Sequence, residues 1–444
     1  MRAREEKRRD LAAIRGTPAQ GLAGATLGFF FGFAAVALFG PTAERLRQIM
    51  DLPPILLGFL VAAPTLSGSL LRIPFSAWVD TTGGRKPFLV LLSLSIAGMA
   101  GLSLVLALLY PDKLTATYYP LLFALGALCG CGIATFSVGI SQVAYWYQPA
   151  RHGTALGAYA GIGNLAPGLF SFILPIALAS IGLVGAYLAW LAFLVLGTVL
   201  YALLGRNAWY FQYLGRGLPA NEARGLATHD GQRVFPSGKV MEGLRASARI
   251  WQTWVLVALY FTTFGGFLAL TAWLPTYWSL YYDFGLRKAG ALTAAFSLLA
   301  SVVRVYGGSW ADRWGGENTS AGSAIVLLAG SGILTFTSNF TLALAGTLLI
   351  AIGMGVNNAA VFKMVPQYAR KAIGGASGWV GGLGAFGGFA IPPLLGLFVN
   401  LQGKKGYATG FVTFIGLALA ALGLAVLLRV AGRKPPIIVY IRPR

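Results

Sequence analysis

The amino-acid sequence predicts an all-α membrane protein with twelve transmembrane helices, arranged as two six-helix halves related by a pseudo-twofold axis. Composition is the first reason. Of 444 residues, 57% are hydrophobic and only 11% are charged, against about 25% charged residues in soluble domains. A chain of this length would otherwise suggest two or three soluble domains, but so few charges cannot cover their surfaces. A series of long apolar runs and an internal repeat are the other two reasons.

The apolar runs are long enough to be membrane spans, since a helix needs about 20 apolar residues to cross a bilayer core about 30 Å thick. They lack the alternating pattern of a membrane β-barrel. The runs cover residues 20–40, 54–79, 87–110, 118–146, 154–180, 183–204, 251–279, 287–311, 321–338, 340–368, 372–399 and 406–430. They therefore predict twelve spans, six on each side of a polar segment.

That polar and basic segment, 205–250, divides the chain into a first bundle at 1–204 and a second at 251–444 with a basic tail. Most of the 34 Lys and Arg residues lie in the terminal segments, in 205–250 and in the loops on the same side. Positively charged loops face the cytoplasm, so both termini are predicted to be cytoplasmic at a plasma (inner) membrane. We interpret 205–250 as a linker on the lipid surface. The net charge of +21 is explained by this topology and by contact of the basic loops with anionic lipid, rather than by binding of nucleic acid.

Cysteine and histidine are too scarce for a disulfide scaffold or a metal site. Cys129 and Cys131 are two residues apart on a helix and so point in different directions. His152 and His229 are the two histidines of the chain. No cofactor, metal or catalytic residue is predicted. An enzyme is disfavoured because no Asp, Glu or His lies in the middle of a predicted span. A non-transporting anion sensor is disfavoured because the sequence has no sizeable cytoplasmic output domain.

An internal repeat relates the two halves. Arg72 precedes Asp80 by eight residues, and Arg304 precedes Asp312 by the same spacing; each aspartate opens a short turn that contains glycine. The segment from Gly157 to Asn164 similarly aligns with Gly378 to Ala385. Two matched pairs in the same order indicate parallel six-helix repeats, an arrangement found in one large class of transporters.

The two repeated arginines predict an anion site. Arg72 lies eight residues before its turn, which is about 12 Å of helix and places it near the bilayer midplane, and Arg304 has the same depth by symmetry. An arginine there costs roughly 2.5–3.5 kcal/mol, yet every Asp and Glu lies in a loop, a terminus or a span end. A planar oxyanion could supply the missing charge; alternatively, backbone carbonyls and water satisfy both groups. The two cations repel each other when the site is empty, so a bound anion is needed before the two halves can close around it. This requirement favours exchange of anions.

The stretch Gly308-Ser-Trp-Ala-Asp312-Arg313-Trp-Gly315 resembles the signature turn of the major facilitator superfamily. The copy after span 2 departs from it at Ser76 and by one inserted residue before Gly84. In that family the turn joins the two halves at the cytoplasmic side. The resemblance therefore implies a major facilitator fold and a conformational latch, formed by Asp80, Arg85, Asp312 and Arg313.

The glycine-rich segments Ala160-Gly-Ile-Gly-Asn164-Leu-Ala-Pro-Gly168 and Gly381-Gly-Leu-Gly384-Ala-Phe-Gly387-Gly388, together with the two arginines, resemble the nitrate/nitrite porter family over nearly the whole chain. Eight signature glycines are implied: Gly157, Gly161, Gly163, Gly168, Gly378, Gly382, Gly384 and Gly388. The resemblance also implies that Phe136 and Phe264 sandwich a flat anion, that Tyr260 donates a hydrogen bond to it, and that Asn164 belongs to the site. Lys363 is implied as a possible coupling residue, although its position near a span end favours snorkelling.

These observations predict a secondary transporter, not an enzyme, that carries nitrate and nitrite by alternating access as a monomer. Nitrate/nitrite exchange is favoured because proton coupling usually needs a membrane-embedded Asp, Glu or His. Proton-coupled nitrate symport is the alternative, with a tyrosine, Lys363 or a water chain as proton carrier. Transport of another small planar anion, such as formate or oxalate, is a further alternative.

Overall fold

The computed structural model describes residues 14–148, 151–236, 240–369 and 373–432, and within these ranges the secondary structure is helical. The predicted basic arm and tail lie mostly outside the described residues, so their contact with lipid stays a prediction. The helices before the linker are Pro18–Phe33, Ala43–Met50, Pro54–Leu70, Arg72–Thr82, Arg85–Leu109, Tyr119–Cys129, Thr135–Trp146, His152–Gly163 and Leu165–Leu204. Those of the linker are Trp209–Leu214, Ala220–His229 and Val240–Ala248. Those after it are Trp251–Tyr260, Gly266–Tyr281, Leu286–Trp314, Gly316–Phe336, Phe340–Tyr368, Ile373–Ala385, Gly387–Gln402, Gly406–Thr409 and Val412–Gly432.

Eleven helical segments of the described residues are long and apolar enough to cross a membrane. One of them, Ala155–Leu204, has 50 residues, which is about 75 Å of helix at 1.5 Å per residue and more than twice the bilayer core. Its backbone leaves the helical conformation at Gly182, where φ is 71° and ψ is −179°. This glycine divides the segment into two crossings, which gives the predicted twelve spans, numbered here in chain order.

Several spans extend beyond the apolar runs that predicted them. Span 1 was expected to end near residue 40, but its helical segment continues to Met50 through 3-10 turns and the helix Ala43–Met50. This last helix is amphipathic: Leu46 is buried, while Glu44 and Arg47 pair with each other at 2.9 Å. Hydropathy underestimates such a helix because its polar face offsets its apolar one.

The two halves pack closely at one end of the bundle, which we call the opposite face because it lies away from the two signature turns. A Cβ atom added to Gly58 of span 2 would lie 2.6 Å from the Pro392 carbonyl oxygen of span 11. One added to Gly290 of span 8 would lie 2.3 Å from the Ser171 oxygen of span 5. Such backbone contact requires glycine, as in other membrane helix pairs. The opposite face is therefore closed between the halves.

The other end, which we call the turn face, carries the turns at 80–85 and 312–316 and is more open. Cβ atoms added to Gly157 of span 5, Gly308 of span 8 or Gly374 of span 11 would meet no atom within 4 Å. The same span pairs that touch at the opposite face thus diverge here. The molecule is closed at one face and open at the other.

The linker is docked on the protein at the turn face, where the sequence had suggested a path along lipid. Asn207 accepts a hydrogen bond from the Arg85 backbone N–H at 2.8 Å and donates one to the Thr82 carbonyl at 3.1 Å. Further along, Trp379 of span 11 donates its indole N–H to the Leu244 carbonyl at 3.0 Å. The first part of the linker is thus bonded to the first half, and the helix Val240–Ala248 to the second. Contact of the linker with lipid stays a prediction.

Candidate functional site

Breaks in helical geometry place most of the predicted site residues. Arg72 begins a helix immediately after the one that ends at Leu70, and Asn164 lies at the junction of His152–Gly163 and Leu165–Leu204. Phe136 follows the 3-10 turn Gly130–Ala134, and Phe264 lies in the π-helical turn Phe261–Gly265. Irregular turns of this kind leave some backbone groups without their helical hydrogen bonds or point them in a new direction, and they often occur at functional sites. Arg304 differs, since it lies within the continuous helix Leu286–Trp314.

Arg72 is completely buried, and protein groups satisfy only part of its guanidinium. Its Nε donates to the Gly68 carbonyl at 3.0 Å, within its own span. Its Nη1 donates to the Gly381 carbonyl of span 11 at 3.1 Å, across the interface between the halves. Its Nη2 is buried and has no hydrogen-bond partner. One donor edge of a permanent cation therefore remains for a further acceptor.

Arg304 meets the same pair of aromatic rings from the second half. The guanidinium carbon of Arg304 lies 5.8 Å from the centre of the Phe136 ring and 5.6 Å from that of Phe264. The corresponding distances from Arg72 are 4.9 and 5.1 Å. The Nη1 of Arg304 is also buried without a hydrogen-bond partner. The structure thus brings together the four residues on which the predicted site mainly depends.

The two phenylalanine rings form the walls of this region. The centres of Phe136 and Phe264 are 5.8 Å apart with an angle of 28° between the planes, and Tyr260 stacks on Phe264 at 4.8 Å. Aromatic faces attract cations within about 6 Å of the ring centre, so the rings help to hold the arginines. They cannot neutralise them, because a quadrupole carries no net charge.

Two more predicted residues present polar atoms without partners. The Tyr260 hydroxyl and the Asn164 amide oxygen are buried, and neither has a hydrogen-bond partner in the described structure. The Asn164 backbone carbonyl accepts from the Ser301 hydroxyl at 3.0 Å, which joins span 5 to span 8. The Tyr260 hydroxyl is a buried donor suited to an anion oxygen, whereas the Asn164 amide oxygen is an acceptor and would need a different partner.

No protein carboxylate neutralises the arginines in the structure as described. None of the salt bridges between described residues involves Arg72 or Arg304; they join Arg47 to Glu44, His229 to Asp230, Lys363 to Asp312 and Lys404 to Asp283. All four lie in loops or near span ends. That the midplane has no counter-ion stays a prediction. No cluster of three or more His, Cys, Asp or Glu occurs in the described ranges.

The signature glycines form two groups with different surroundings. A Cβ atom would lie within 3.0 Å of a neighbouring atom at Gly163, Gly168, Gly382, Gly384 and Gly388. The neighbour of Gly384 is the Tyr260 ring at 2.7 Å, so this glycine leaves room for a site residue. At Gly157, Gly161 and Gly378 a Cβ atom would meet no more than one atom within 4 Å. The second group lies where the halves diverge at the turn face.

The first predicted latch pair makes contacts inside the first half. Asp80 accepts a hydrogen bond from the Tyr145 hydroxyl of span 4 at 2.5 Å. Arg85 donates to the Ala202 carbonyl of span 6 at 2.8 Å. These bonds hold the turn in place but do not cross to the second half. A latch between the halves stays a prediction.

The second turn contacts Lys363 of span 10. The Lys363 ammonium pairs with the Asp312 carboxylate at 2.6 Å and donates to the Ala311 carbonyl at 2.5 Å. Arg313 is exposed. Lys363 thus directs its charge towards the turn face, as a snorkelling lysine would, and a coupling role for it stays a prediction.

A cavity of about 760 Å³ extends from the Phe136 ring to the turn face. Phe136 and Gly381 line its deep end, while Asp80, Tyr145 and His152 belong to the signature turn and the span ends near it. Its volume is ample for a small inorganic ion and its waters. The cavity therefore leads from the turn face to the Phe136 ring, which lies against both arginines.

Sequence reasoning missed two groups that contact residues of the site. The Gly381 carbonyl is one, because a backbone acceptor leaves no trace in residue type. Tyr159 is the other: its ring stacks on Phe29 at 5.0 Å and on Phe136 at 6.3 Å. The signal that could have found Tyr159 is its position one helical turn before Gly163, within a run of small residues.

Comparison with known proteins gives consistent matches over nearly the whole chain. The sequence matches the Major Facilitator Superfamily over residues 25–392 and 280–439. A Thermus thermophilus protein named "Probable nitrate/nitrite antiporter NarK1" is 30% identical over 423 residues, which is 89% of this chain and 88% of that one. The "Nitrite extrusion protein" of Bacillus subtilis (strain 168) is 28% identical over 401 residues, 90% of this chain and 92% of that one. The solved structure of the xylose transporter XylE from E. coli is 15% identical and has a TM-score of 0.70, with 94% of this chain and 100% of that one covered; this likeness shows the shared fold.

Proposed function

The chain belongs to the nitrate/nitrite porter family of the major facilitator superfamily, and we propose that it carries nitrate and nitrite across the plasma (inner) membrane by alternating access. Exchange of one anion for the other is the proposed mode, with the protein acting as a monomer. The turn face is proposed to be cytoplasmic, in line with the basic residues of the loops on that side.

One observation carries this proposal: two arginines from opposite halves lie against the same aromatic pair, and each has a buried nitrogen without a partner. A guanidinium keeps its charge in proteins and presents a planar fork of N–H donors. Nitrate and nitrite are flat and carry their negative charge on oxygen, so they match the fork. Their proposed place is the region bounded by the Phe136 ring, the Phe264 ring and the two arginines, which we call the anion slot. The names of the relatives support the same substrates for this chain.

Binding of the anion would couple the two halves mechanically. Arg72 belongs to span 2 and Arg304 to span 8, and the cavity lies between their halves. Two unit charges in a poorly hydrated region repel, and the repulsion grows as water leaves and the effective dielectric constant falls. An anion between them converts this repulsion into attraction, which favours the closed intermediate. The return of the carrier would then need a second anion, and this is exchange.

Proton-coupled symport is disfavoured by the kinds of group around the site. The groups that contact the two arginines or their aromatic pair in the described structure are aromatic rings, including that of Tyr260, and backbone carbonyls. Asp80 and Lys363 are titratable, but both are bonded near the turn face. A carboxylate or histidine beside the anion, the usual proton acceptor in such transporters, is absent from these described contacts.

Exchange can be tested with the purified protein in proteoliposomes. We expect labelled nitrate to enter when the vesicles contain nitrite or nitrate, and not when an imposed pH gradient is the only driving force. Arg304→Gln should abolish uptake in the same assay, whereas Arg47→Gln, which removes an arginine paired with Glu44 away from the site, should retain it. If the pH gradient drives uptake into vesicles without internal nitrate or nitrite, the mechanism is symport and not exchange. No nitrate uptake under either condition would reject the proposal.

The substrate class can be tested in the same vesicles by competition. Nitrite should compete with labelled nitrate more strongly than formate or oxalate does, because the relatives are named for nitrate and nitrite. Stronger competition by either carboxylate than by nitrite would assign the site to another planar anion.

A further inference from the structure

Tyr159 of span 5 is a buried tyrosine whose hydroxyl is bonded to the backbone of span 4. Its side chain is fully buried. Its hydroxyl makes contacts of 2.9 Å with the Thr135 carbonyl and 3.1 Å with the Phe136 carbonyl. A single O–H can share its proton between two such acceptors. The bond therefore joins span 5 to the start of the helix that carries Phe136, directly after the 3-10 turn.

This turn needs an external support because the helix around it is irregular. The 3-10 turn Gly130–Ala134 ends immediately before Thr135 and Phe136. Glycine and short 3-10 segments fix the backbone less firmly than a regular α-helix does. The hydroxyl of Tyr159 contacts the first two carbonyls after that segment, so it can hold the point at which the regular helix begins.

Neighbouring residues accommodate Tyr159 closely. A Cβ atom on Gly139 would lie 2.0 Å from the Tyr159 hydroxyl oxygen, so a residue larger than glycine would displace the ring. On the other side, Phe29 stacks on Tyr159 at 5.0 Å with an angle of 28° between the planes. A Cβ atom on Gly163 would in turn overlap the Phe29 ring. The position of the Tyr159 ring is thus determined from two sides.

The ring that Tyr159 supports is part of the anion slot. Phe136 lies 4.9 Å from the Arg72 guanidinium carbon and stacks with Phe264 at 5.8 Å. Tyr159 itself lies farther away, 6.3 Å from the Phe136 ring centre, and makes no hydrogen bond to either arginine. Its hydroxyl is committed to carbonyl groups, so its effect on the site passes through Phe136.

We propose that Tyr159 is a positioning residue that fixes the Phe136 ring and thereby sets the width of the anion slot, so that flat anions are accepted over pyramidal ones. This inference rests on the proposed transport of nitrate and nitrite. A loosened Phe136 would widen the slot. Chlorate, which is pyramidal and of the same charge as nitrate, would then gain relative to nitrate.

The test uses Tyr159→Phe in the full-length protein, with Tyr187→Phe as the matched control. Tyr187 is also fully buried, and its hydroxyl donates to a backbone carbonyl, that of Leu38, at 2.9 Å. It lies outside the arginine site. Both variants lose one hydroxyl and keep the ring, so their thermal stabilities should fall by similar amounts. Only Tyr159→Phe should change the ratio of the inhibition constants of chlorate and nitrate in nitrate exchange.

One net hydrogen bond corresponds to about a fivefold change in an equilibrium constant. We therefore expect Tyr159→Phe to lower the preference for nitrate over chlorate about fivefold, with KM for nitrate raised and the maximal exchange rate little changed. Phe136→Leu should lower the same preference at least as much.

The outcomes separate this inference from the function on which it rests. If wild-type protein exchanges nitrate and Phe136→Leu loses the preference, but Tyr159→Phe behaves like Tyr187→Phe, then Tyr159 is only a packing residue. If Phe136→Leu also leaves the preference unchanged, the ring does not set the width of the slot and the inference is wrong. If the wild-type protein does not exchange nitrate, the proposed function fails first.

Discussion

Replacing Arg72 by glutamine removes a buried cation while keeping a polar side chain. Arg72 is completely buried, and its Nη2 has no protein partner. An uncompensated cation near the centre of a membrane helix costs about 2.5–3.5 kcal/mol. Without nitrate, the glutamine variant should therefore be as stable as the wild type or more stable. This is opposite to the usual effect of a mutation in a packed interior.

Nitrate should reverse the order of the two proteins. A hydrogen bond from a charged donor contributes about 1.5–3 kcal/mol, so losing it weakens binding about 10- to 150-fold. At a nitrate concentration of about 100 times the wild-type Kd, ligand binding stabilises the wild-type protein by about 2.7 kcal/mol. If the Kd of the variant is about 100-fold higher, the same concentration stabilises it by only about 0.4 kcal/mol.

Thermal unfolding of the purified proteins in detergent measures both effects. Melting temperatures are compared in potassium nitrate and in potassium gluconate at equal ionic strength. Arg47→Gln serves as the control, since Arg47 pairs with Glu44 away from the arginine site, and it should keep the full response to nitrate. A nitrate-induced shift in Arg72→Gln equal to that of the wild type would refute the arginine site. A large loss of stability in gluconate would show that the cation is already compensated.

Three other substitutions test different parts of the site. Arg304→Lys should abolish or severely reduce counterflow while expression remains, because an ammonium is a point charge and cannot reproduce a planar fork; a wild-type rate would contradict this. Gly384→Ala would place a Cβ atom 2.7 Å from the Tyr260 ring and should cost about 1–3 kcal/mol of stability. Gly157→Ala, with no atom within 4 Å of the added Cβ, should fold normally and lose exchange if the turn face must close. Equal melting temperatures of these two variants would count against the packing difference. Lys363→Met should leave exchange within about threefold of wild type, because its ion pair is partly exposed and such pairs contribute about 1 kcal/mol or less; complete loss of exchange would instead assign Lys363 a role in coupling.

Much of the site could be predicted because its main signals are properties of residues along the chain. Two arginines at matched positions in apolar runs, with every carboxylate near a span end, indicate an anion whatever the details of packing. The aromatic residues came from family resemblance, and the structure places Phe136 and Phe264 against both arginines. The roles of the latch residues and of Lys363 were not accessible in this way, because they depend on which conformation the halves adopt.

The sequence by itself determined the membrane class, the number of spans and the repeat, because hydropathy, charge placement and spacing are local quantities that one chain displays directly. Only the tertiary structure decided which glycines touch a neighbour, which face of the bundle is open, that Gly381 supplies a carbonyl to Arg72, and that the Tyr159 hydroxyl bonds to the Phe136 carbonyl. These depend on how each helix is rotated about its axis and how closely two helices approach. Both are set by the fit of side chains from distant parts of the chain, and no pattern along a single segment contains that information.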